Sequence, residues 1–301
     1  MRLWVKAWRL IKDTLNGFIS DNALSRGASI AYYTLFAIAP ALLIIVAVAG
    51  LVFGHDAAQG AIVGQLGGLM GDATARAIEE MIKGAANRST GIVASIVGVG
   101  ALIVTATGLF GELQSSMNAI WKAKPRSPTL SRLMRARLAS LGLVLSAGFL
   151  LTVSLAVSAA LEGLSKYLKG LFPGADLTLQ AFDFLVSTAL LSVMFAAIYK
   201  ILPDKPITWR DVAIGAVVTT LLFDVGKYLI ALYIGQSHVA SSYGAAGGLI
   251  VLLLWIYYTA QIFLFGAEFT HAYAKRFGSH ASAGDGSSPT RPDLVGGAKA
   301  H

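Results

Sequence analysis

Six long apolar stretches, separated by short charged loops, dominate this chain of 301 residues. A helix needs about 20 apolar residues to cross a bilayer. Backbone groups in lipid must be hydrogen-bonded within the segment, so each stretch is predicted to be a helix. The sequence therefore predicts an all-α, polytopic membrane bundle with six transmembrane helices. The expected spans are residues 28–53, 90–111, 138–161, 177–199, 212–234 and 246–270.

The composition agrees with a single membrane domain, expected over residues 21–275. Hydrophobic residues make up 55% of the chain and charged residues 13%, against about 25% charged in soluble domains. That leaves no room for a separate soluble domain of ordinary size. The absence of cysteine excludes disulfides, thiolate metal sites and a cysteine nucleophile.

The positions of the basic residues predict the topology. Eighteen of the 24 Lys and Arg residues lie before the first span, between spans two and three, between spans four and five, or after the last span. Cytoplasmic loops carry such an excess, so both termini are predicted to be cytoplasmic. The net charge of +8 is then explained by topology and by contact with anionic lipids. No nucleic-acid partner is expected.

Three shorter segments flank the spans. Residues 1–20 alternate apolar and basic residues at helical spacing, which predicts an amphipathic helix. This helix lies either in the headgroup region or against the cytoplasmic ends of the bundle. The external segment 55–90 is expected to contain a short helix that begins near Asp72, after a Gly-rich connector over residues 60–71. The tail over residues 276–301 is rich in Gly, Ser and Ala and is expected to be disordered.

Several segments carry a family resemblance. They are Asp21-Asn-Ala-Leu-Ser-Arg-Gly-Ala-Ser-Ile-Ala-Tyr-Tyr-Thr-Leu-Phe-Ala-Ile-Ala-Pro40, Met117-Asn-Ala-Ile-Trp121, Tyr199-Lys-Ile-Leu-Pro-Asp204, Trp209-Arg-Asp-Val-Ala-Ile-Gly215, Tyr243-Gly-Ala-Ala-Gly-Gly248 and Phe265-Gly-Ala-Glu-Phe269. Over about residues 10–275 the chain resembles the YihY/BrkB family of bacterial inner-membrane proteins. The resemblance implies six transmembrane helices and an inner-membrane location. Members carry names from virulence factor to transporter-like protein to ribonuclease BN, so the resemblance implies fold and location more than activity.

The residues argue against a ribonuclease or any other hydrolase. Metal-dependent phosphodiester hydrolysis needs clustered His and Asp ligands. No two histidines of this chain fall at ligand spacing; they are His55, His238, His271, His280 and His301. No Ser-His-Asp pattern and no phosphate-binding Gly-rich loop is present. We therefore expect no enzyme, no catalytic residues, no metal site and no cofactor.

Ionisable residues at membrane depth are costly and mark candidate functional sites. Asp224 and Lys227, at i and i+3 in span five, share a helix face with Tyr228 nearby. The pair is either the charge centre of a substrate or proton site, or a mutually neutralised pair that fixes helix packing. Both interpretations predict sensitivity to mutation, because breaking the pair leaves a buried charge unpaired.

Further polar residues extend this candidate site. Carboxylates on four helices can line one aqueous cavity built from spans two, four, five and six, or can be interface residues that water reaches at the helix ends. Pro40 in span one is a candidate hinge, since proline removes a helix hydrogen bond. The other candidates are Glu112, Asn118, Asp183, Gln261 and Glu268.

The sequence thus favours a transporter-like or lipid-handling protein with a polar intramembrane cavity. Membrane lipids are the expected partners, and the substrate is a small molecule or a lipid. A homo-oligomer is compatible with the sequence. The alternative is a non-transporting membrane scaffold or envelope-assembly protein, whose buried charges only lock the helix packing.

Overall fold

The computed structural model describes residues 2–70, 75–76, 78–80, 83, 92–123, 163, 175–236 and 247–278. This part of the chain is helical, with short turns and bends, and contains no strand. The all-α class is therefore confirmed over these residues. The predicted third span at 138–161, the expected helix start at Asp72 and almost all of the predicted tail lie outside the described residues.

Seven helices have bounds within the described residues. They are α1 (Arg2–Ser20), α2 (Ala23–Phe53), α3 (His55–Met70), α4 (Ile92–Ile120), α5 (Ala175–Ile201), α6 (Trp209–Gln236) and α7 (Gly247–Arg276). Five of them, α2 and α4 to α7, occupy five of the six predicted spans. The prediction of a connector over residues 60–71 is wrong up to Met70, because α3 covers those residues. Residues 75–76 and 78–80, within the expected external helix, are helical.

Three segments of the described chain are long and apolar enough to cross a membrane. They are Phe184–Ile201 in α5, Trp209–Ile234 in α6 and Gly247–Arg276 in α7. The membrane class is therefore supported by length and composition, whereas the count of six spans stays a prediction.

A sharp turn separates α1 from α2. Asn22 has a left-handed backbone, with φ of 54° and ψ of 42°, a conformation that asparagine tolerates better than most residues. The turn directs α1 back across α7, where the Phe18 and Phe265 rings meet edge to face with centroids 5.9 Å apart. Leu10 and Thr14 are buried, while Trp8 is exposed. The helix therefore packs on the bundle through one face and leaves its tryptophan face exposed.

Paired glycines and threonines bring α6 and α7 together. Thr219 of α6 lies against Gly266 of α7, and Thr270 of α7 lies against Gly215 of α6. Each threonine hydroxyl donates 2.7 Å to the carbonyl of the glycine four residues earlier in its own helix. The buried Tyr199 of α5 donates to the Phe263 carbonyl at 2.7 Å, which ties the third helix to this contact. Small residues allow such close approach in membrane bundles.

A second set of contacts joins α4 to the segment between α5 and α6. The Asn118 amide donates to the Asp204 carboxylate at 2.8 Å, and its carbonyl accepts the Asp204 backbone N–H at 2.8 Å. Lys205 donates to the Trp121 carbonyl at 3.1 Å. These contacts bring several segments together at one end of the bundle. The basic-residue pattern predicts that these segments are cytoplasmic.

Candidate functional site

A polar cavity of about 610 Å³ lies at this end of the bundle. Its walls come from the end of α1, the turn after it, the residues just beyond α4 and the last turns of α7. The lining residues are Asp13, Asn16, Gly17, Ser20, Asp21, Lys122, Glu268, His271, Ala272, Lys275 and Arg276. The sequence placed the cavity among spans two, four, five and six instead, because the packing of α1 on α7 is not visible in local patterns.

Two buried carboxyl groups form the acidic part of the cavity. Glu268 is only 2% exposed, and it lies beneath Gly17 of α1. A methyl group added at Gly17 would come within 3.0 Å of the Glu268 carboxyl carbon. The Asp21 side chain is 8% exposed and pairs with Lys122 through Oδ1. Asp21 and Glu268 line the same cavity, and Asp21 Oδ2 and Glu268 Oε1 each lack a donor among the described residues.

Basic side chains form the rest of the cavity wall. Arg276 Nη2 contacts the Asp13 carboxylate at 3.0 Å, while its Nη1 is buried and finds no acceptor in the described part of the chain. The His271 ring packs on Trp121 at a centroid distance of 5.2 Å. Lys122 and Arg276 are in ion pairs. Glu268 and Lys275, which carry opposite charges, form no ion pair within the described part of the chain.

An apolar groove of about 270 Å³ lies next to the cavity. Val225 and Leu229 are 59% and 56% exposed, so the groove opens toward the surroundings of the bundle. Gln261 contributes its amide group; Nε2 reaches the Leu24 carbonyl at 3.4 Å, and Oε1 is buried with no donor among the residues described. The lining residues are Phe18, Leu222, Val225, Gly226, Leu229, Tyr258, Gln261, Ile262 and Phe265.

The groove and the cavity are neighbours along both α1 and α7. Gly17 lines the polar cavity and the next residue, Phe18, lines the apolar groove. On α7, Gln261 lines the groove and Glu268 lines the cavity, seven residues or roughly 10 Å further along the helix. A charged compartment therefore lies close to an apolar one that is open to the surroundings of the bundle.

The predicted charge centre lies elsewhere, between α5 and α6. Lys227 Nζ is 2.8 Å from Asp224 Oδ1, so the two residues form the expected i,i+3 contact. Thr188 donates to the other Asp224 oxygen at 3.2 Å. Lys227 also lies 5.5 Å from the ring centroid of Tyr228, which is largely exposed. Asp224 thus has partners for both oxygens, and none of these residues lines the cavity or the groove.

The remaining candidates are scattered. Asn118 is engaged with Asp204, and Glu112 is partly exposed on α4. The α2 backbone stays helical through Pro40, and the side chains of Pro40 and Asp183 lie outside the described set. Among the predicted site residues whose side chains the structure describes, Glu268 alone lines the cavity and Gln261 alone lines the groove.

Sequence reasoning missed the partners that complete this site. Gly17, Asp21, Lys122, His271 and Lys275 all line the cavity with Glu268. One signal was available, because Asp21 opens the first segment that carried the family resemblance. The other four residues gave no pattern, since they come from three separate parts of the chain.

Helices with long apolar segments define this chain as an integral membrane protein of the α-helical class. The chain belongs to the family described as virulence factor BrkB, whose family model matches residues 14–290.

Similar membrane proteins of other bacteria agree with this assignment. The chain is 28% identical over 258 residues to a UPF0761 membrane protein of Alcanivorax borkumensis, which covers 85% of this chain and 58% of the relative. It is 34% identical over 202 residues to the UPF0761 membrane protein YihY of Escherichia coli O7:K1, covering 66% and 64%. A UPF0761 membrane protein of Verminephrobacter eiseniae is 30% identical over 270 residues, covering 87% and 62%. The matches thus span less than two thirds of these curated relatives. No solved structure matches the chain.

Proposed function

We propose that this protein is a transporter-like, lipid-handling protein of the bacterial inner membrane. In this proposal an amphipathic substrate places its polar headgroup in the cavity and an acyl chain in the groove. The observation that carries the proposal is the proximity of the two compartments, because two consecutive residues of α1, Gly17 and Phe18, line the cavity and the groove respectively.

The physical chemistry of the two compartments supports such a substrate. Ion pairs line the cavity, together with polar atoms that lack a partner among the described residues, so the cavity suits a charged group that loses water on entry. Apolar side chains line most of the groove, whose exposed residues meet lipid in a membrane-embedded bundle. Since the basic residues predict a cytoplasmic location for this end, the substrate would enter from the cytoplasmic leaflet.

The non-transporting scaffold remains the second candidate because of one observation. Asp224 finds Lys227 and Thr188 at hydrogen-bonding distance, as expected of a charge that only fixes helix packing. The Asn118–Asp204 contact has the same character. A scaffold of this kind would bind lipid no more specifically at the groove than elsewhere on its surface.

The test uses two leucines of α6 that are exposed to a similar extent. Leu229 lines the groove, whereas Leu232 does not, and they are 56% and 58% exposed. Leu229→Trp should fill the groove, while Leu232→Trp adds the same ring to the ordinary lipid-facing surface. The measurements are the phospholipid retained by the purified protein after detergent washing and the translocation of fluorescent phospholipid in proteoliposomes.

We expect the wild type and Leu232→Trp to retain lipid and to accelerate its translocation, and Leu229→Trp to lose both properties. Equal lipid retention by both variants, with translocation no faster than in protein-free liposomes, would favour the scaffold.

A further inference from the structure

The polar cavity contains a carboxyl group and an ammonium group that form no ion pair within the described part of the chain. Glu268 and Lys275 both line it, and in the described part of the chain neither forms an ion pair. They lie seven residues apart on α7, about two helical turns along the same side. The cavity therefore presents separate places for a positive and a negative group.

The acidic end needs a positive occupant. An ionised carboxylate buried without a cation is strongly disfavoured, and Glu268 is 2% exposed with Oε1 lacking a donor among the described residues. Lys122 already forms an ion pair with Asp21, so it is not a free cation for Glu268. Either a proton or a bound cation completes this end.

The basic end offers donors to an anion. Lys275 lies on the wall, and the next residue, Arg276, contributes Nη1, which is buried and has no acceptor in the described part of the chain. Arginine and lysine together are suited to phosphate, which accepts several charge-assisted hydrogen bonds.

Resting on the proposed lipid-handling function, we propose that the cavity selects a zwitterionic headgroup that carries a primary ammonium and a phosphate, as in phosphatidylethanolamine. The ammonium lies against Glu268 and Asp21, and the phosphate lies against Lys275 and Arg276. A primary ammonium has three N–H donors, which match the two orphaned carboxylate oxygens. A quaternary ammonium has no donor, and an anionic headgroup without an amine leaves Glu268 uncompensated.

Binding of short-chain lipids to the purified full-length protein in detergent tests the proposal. The probes carry identical acyl chains and either phosphoethanolamine, phosphocholine or phosphoglycerol as headgroup; free O-phosphoethanolamine is the fourth probe. We expect the wild type to bind the ethanolamine lipid about 10-fold more tightly than the choline lipid, the effect of one charge-assisted hydrogen bond. Free O-phosphoethanolamine should bind more weakly than the lipid, because it has no chain for the groove.

Substitutions test which cavity residues cause the headgroup selectivity. Glu268→Gln should remove the preference for the ethanolamine lipid without weakening binding of the phosphoglycerol lipid. Lys275→Gln should weaken both. Gly17→Ala keeps Glu268 but crowds its carboxyl, so it should reduce the ethanolamine preference even if Glu268→Gln fails to fold. Glu112→Gln and Lys12→Gln, which change a carboxylate and an amine outside the cavity lining, should behave as the wild type.

Three results would overturn the proposal. Equal affinity of the wild type for the three lipids would show that Glu268 and Asp21 share a proton and receive no ligand amine. Unchanged selectivity in both Glu268→Gln and Gly17→Ala would place the amine elsewhere. Free O-phosphoethanolamine binding as tightly as the lipid would indicate a soluble ligand. In the first two cases the headgroup proposal fails, but the broader lipid-handling function would still be supported if Leu229→Trp loses lipid retention.

Discussion

The close contact between α6 and α7 makes Gly266→Ala a sharp test of the packing. A methyl group added at Gly266 would come within 2.6 Å of the Tyr199 hydroxyl oxygen, and closer still to Thr219 Oγ1. Neither hydroxyl can move freely. Thr219 donates to the Gly215 carbonyl at 2.7 Å and Tyr199 donates to the Phe263 carbonyl at 2.7 Å.

The expected cost follows from these constraints. Overpacking a tight site costs about 1 to 3 kcal/mol of unfolding free energy, and the upper end applies here because both neighbours would lose hydrogen bonds if they shifted. Alanine is favoured over glycine in a helix by about 1 kcal/mol. We therefore expect Gly266→Ala to lower the free energy of unfolding by about 2 kcal/mol.

The assay is unfolding in mixed micelles by titration with SDS, followed by circular dichroism. Gly111→Ala is the matched control, since a methyl group at Gly111 meets nothing within 4 Å; it should change stability by no more than about 1 kcal/mol. Adding Thr219→Ala to Gly266→Ala removes the nearest obstacle and should recover at least about 0.5 kcal/mol of coupling energy. A Gly266→Ala protein as stable as the wild type would refute the reasoning.

Two further predictions concern topology and the charged pair of α6. Cysteines introduced at positions 75 and 285 should react with an impermeant thiol reagent from opposite sides of the membrane, since the basic residues place the tail in the cytoplasm; equal labelling from the periplasm would reject this topology. Asp224→Asn or Lys227→Met alone should destabilise the protein by about 3 kcal/mol, and the double change by less, because only the single changes leave a buried charge unpaired. Strictly additive losses in thermal-unfolding measurements would show that the two residues do not interact.

The helix positions were predictable because a helix that crosses a membrane needs a long apolar run, which is visible in the local composition. Long apolar runs located α2 and α4 to α7, and the three- and four-residue spacing of apolar side chains located α1. The same rule failed between residues 60 and 70. There the glycines suggested a connector, but the segment forms α3, since tertiary contacts with α2 outweigh the weak helix preference of glycine.

The cavity was not predictable because its parts are distant in the chain. Gly17 and Glu268 are 251 residues apart in the numbering, and they meet only because the left-handed Asn22 turns α1 across α7. No periodicity or spacing encodes that turn. Composition indicates that a charge such as Glu268 is buried, but the donors around it depend on the completed fold.

This difference explains why the sequence and the structure emphasise different charges. Asp224 and Lys227 stand out in the sequence because i,i+3 spacing places them on one helix face, and the same proximity lets them neutralise each other. Glu268 has no Lys or Arg at i±3 or i±4, and only His271 stands at i+3, so it gives a weaker sequence signal. Its Oε1 lacks a donor among the described residues, which makes it the better candidate for binding a ligand. In a membrane bundle, a buried charge with a partner on its own helix is already satisfied by packing. The charge without such a partner must obtain its neutralisation from another helix, a proton or a substrate, and function is to be sought there.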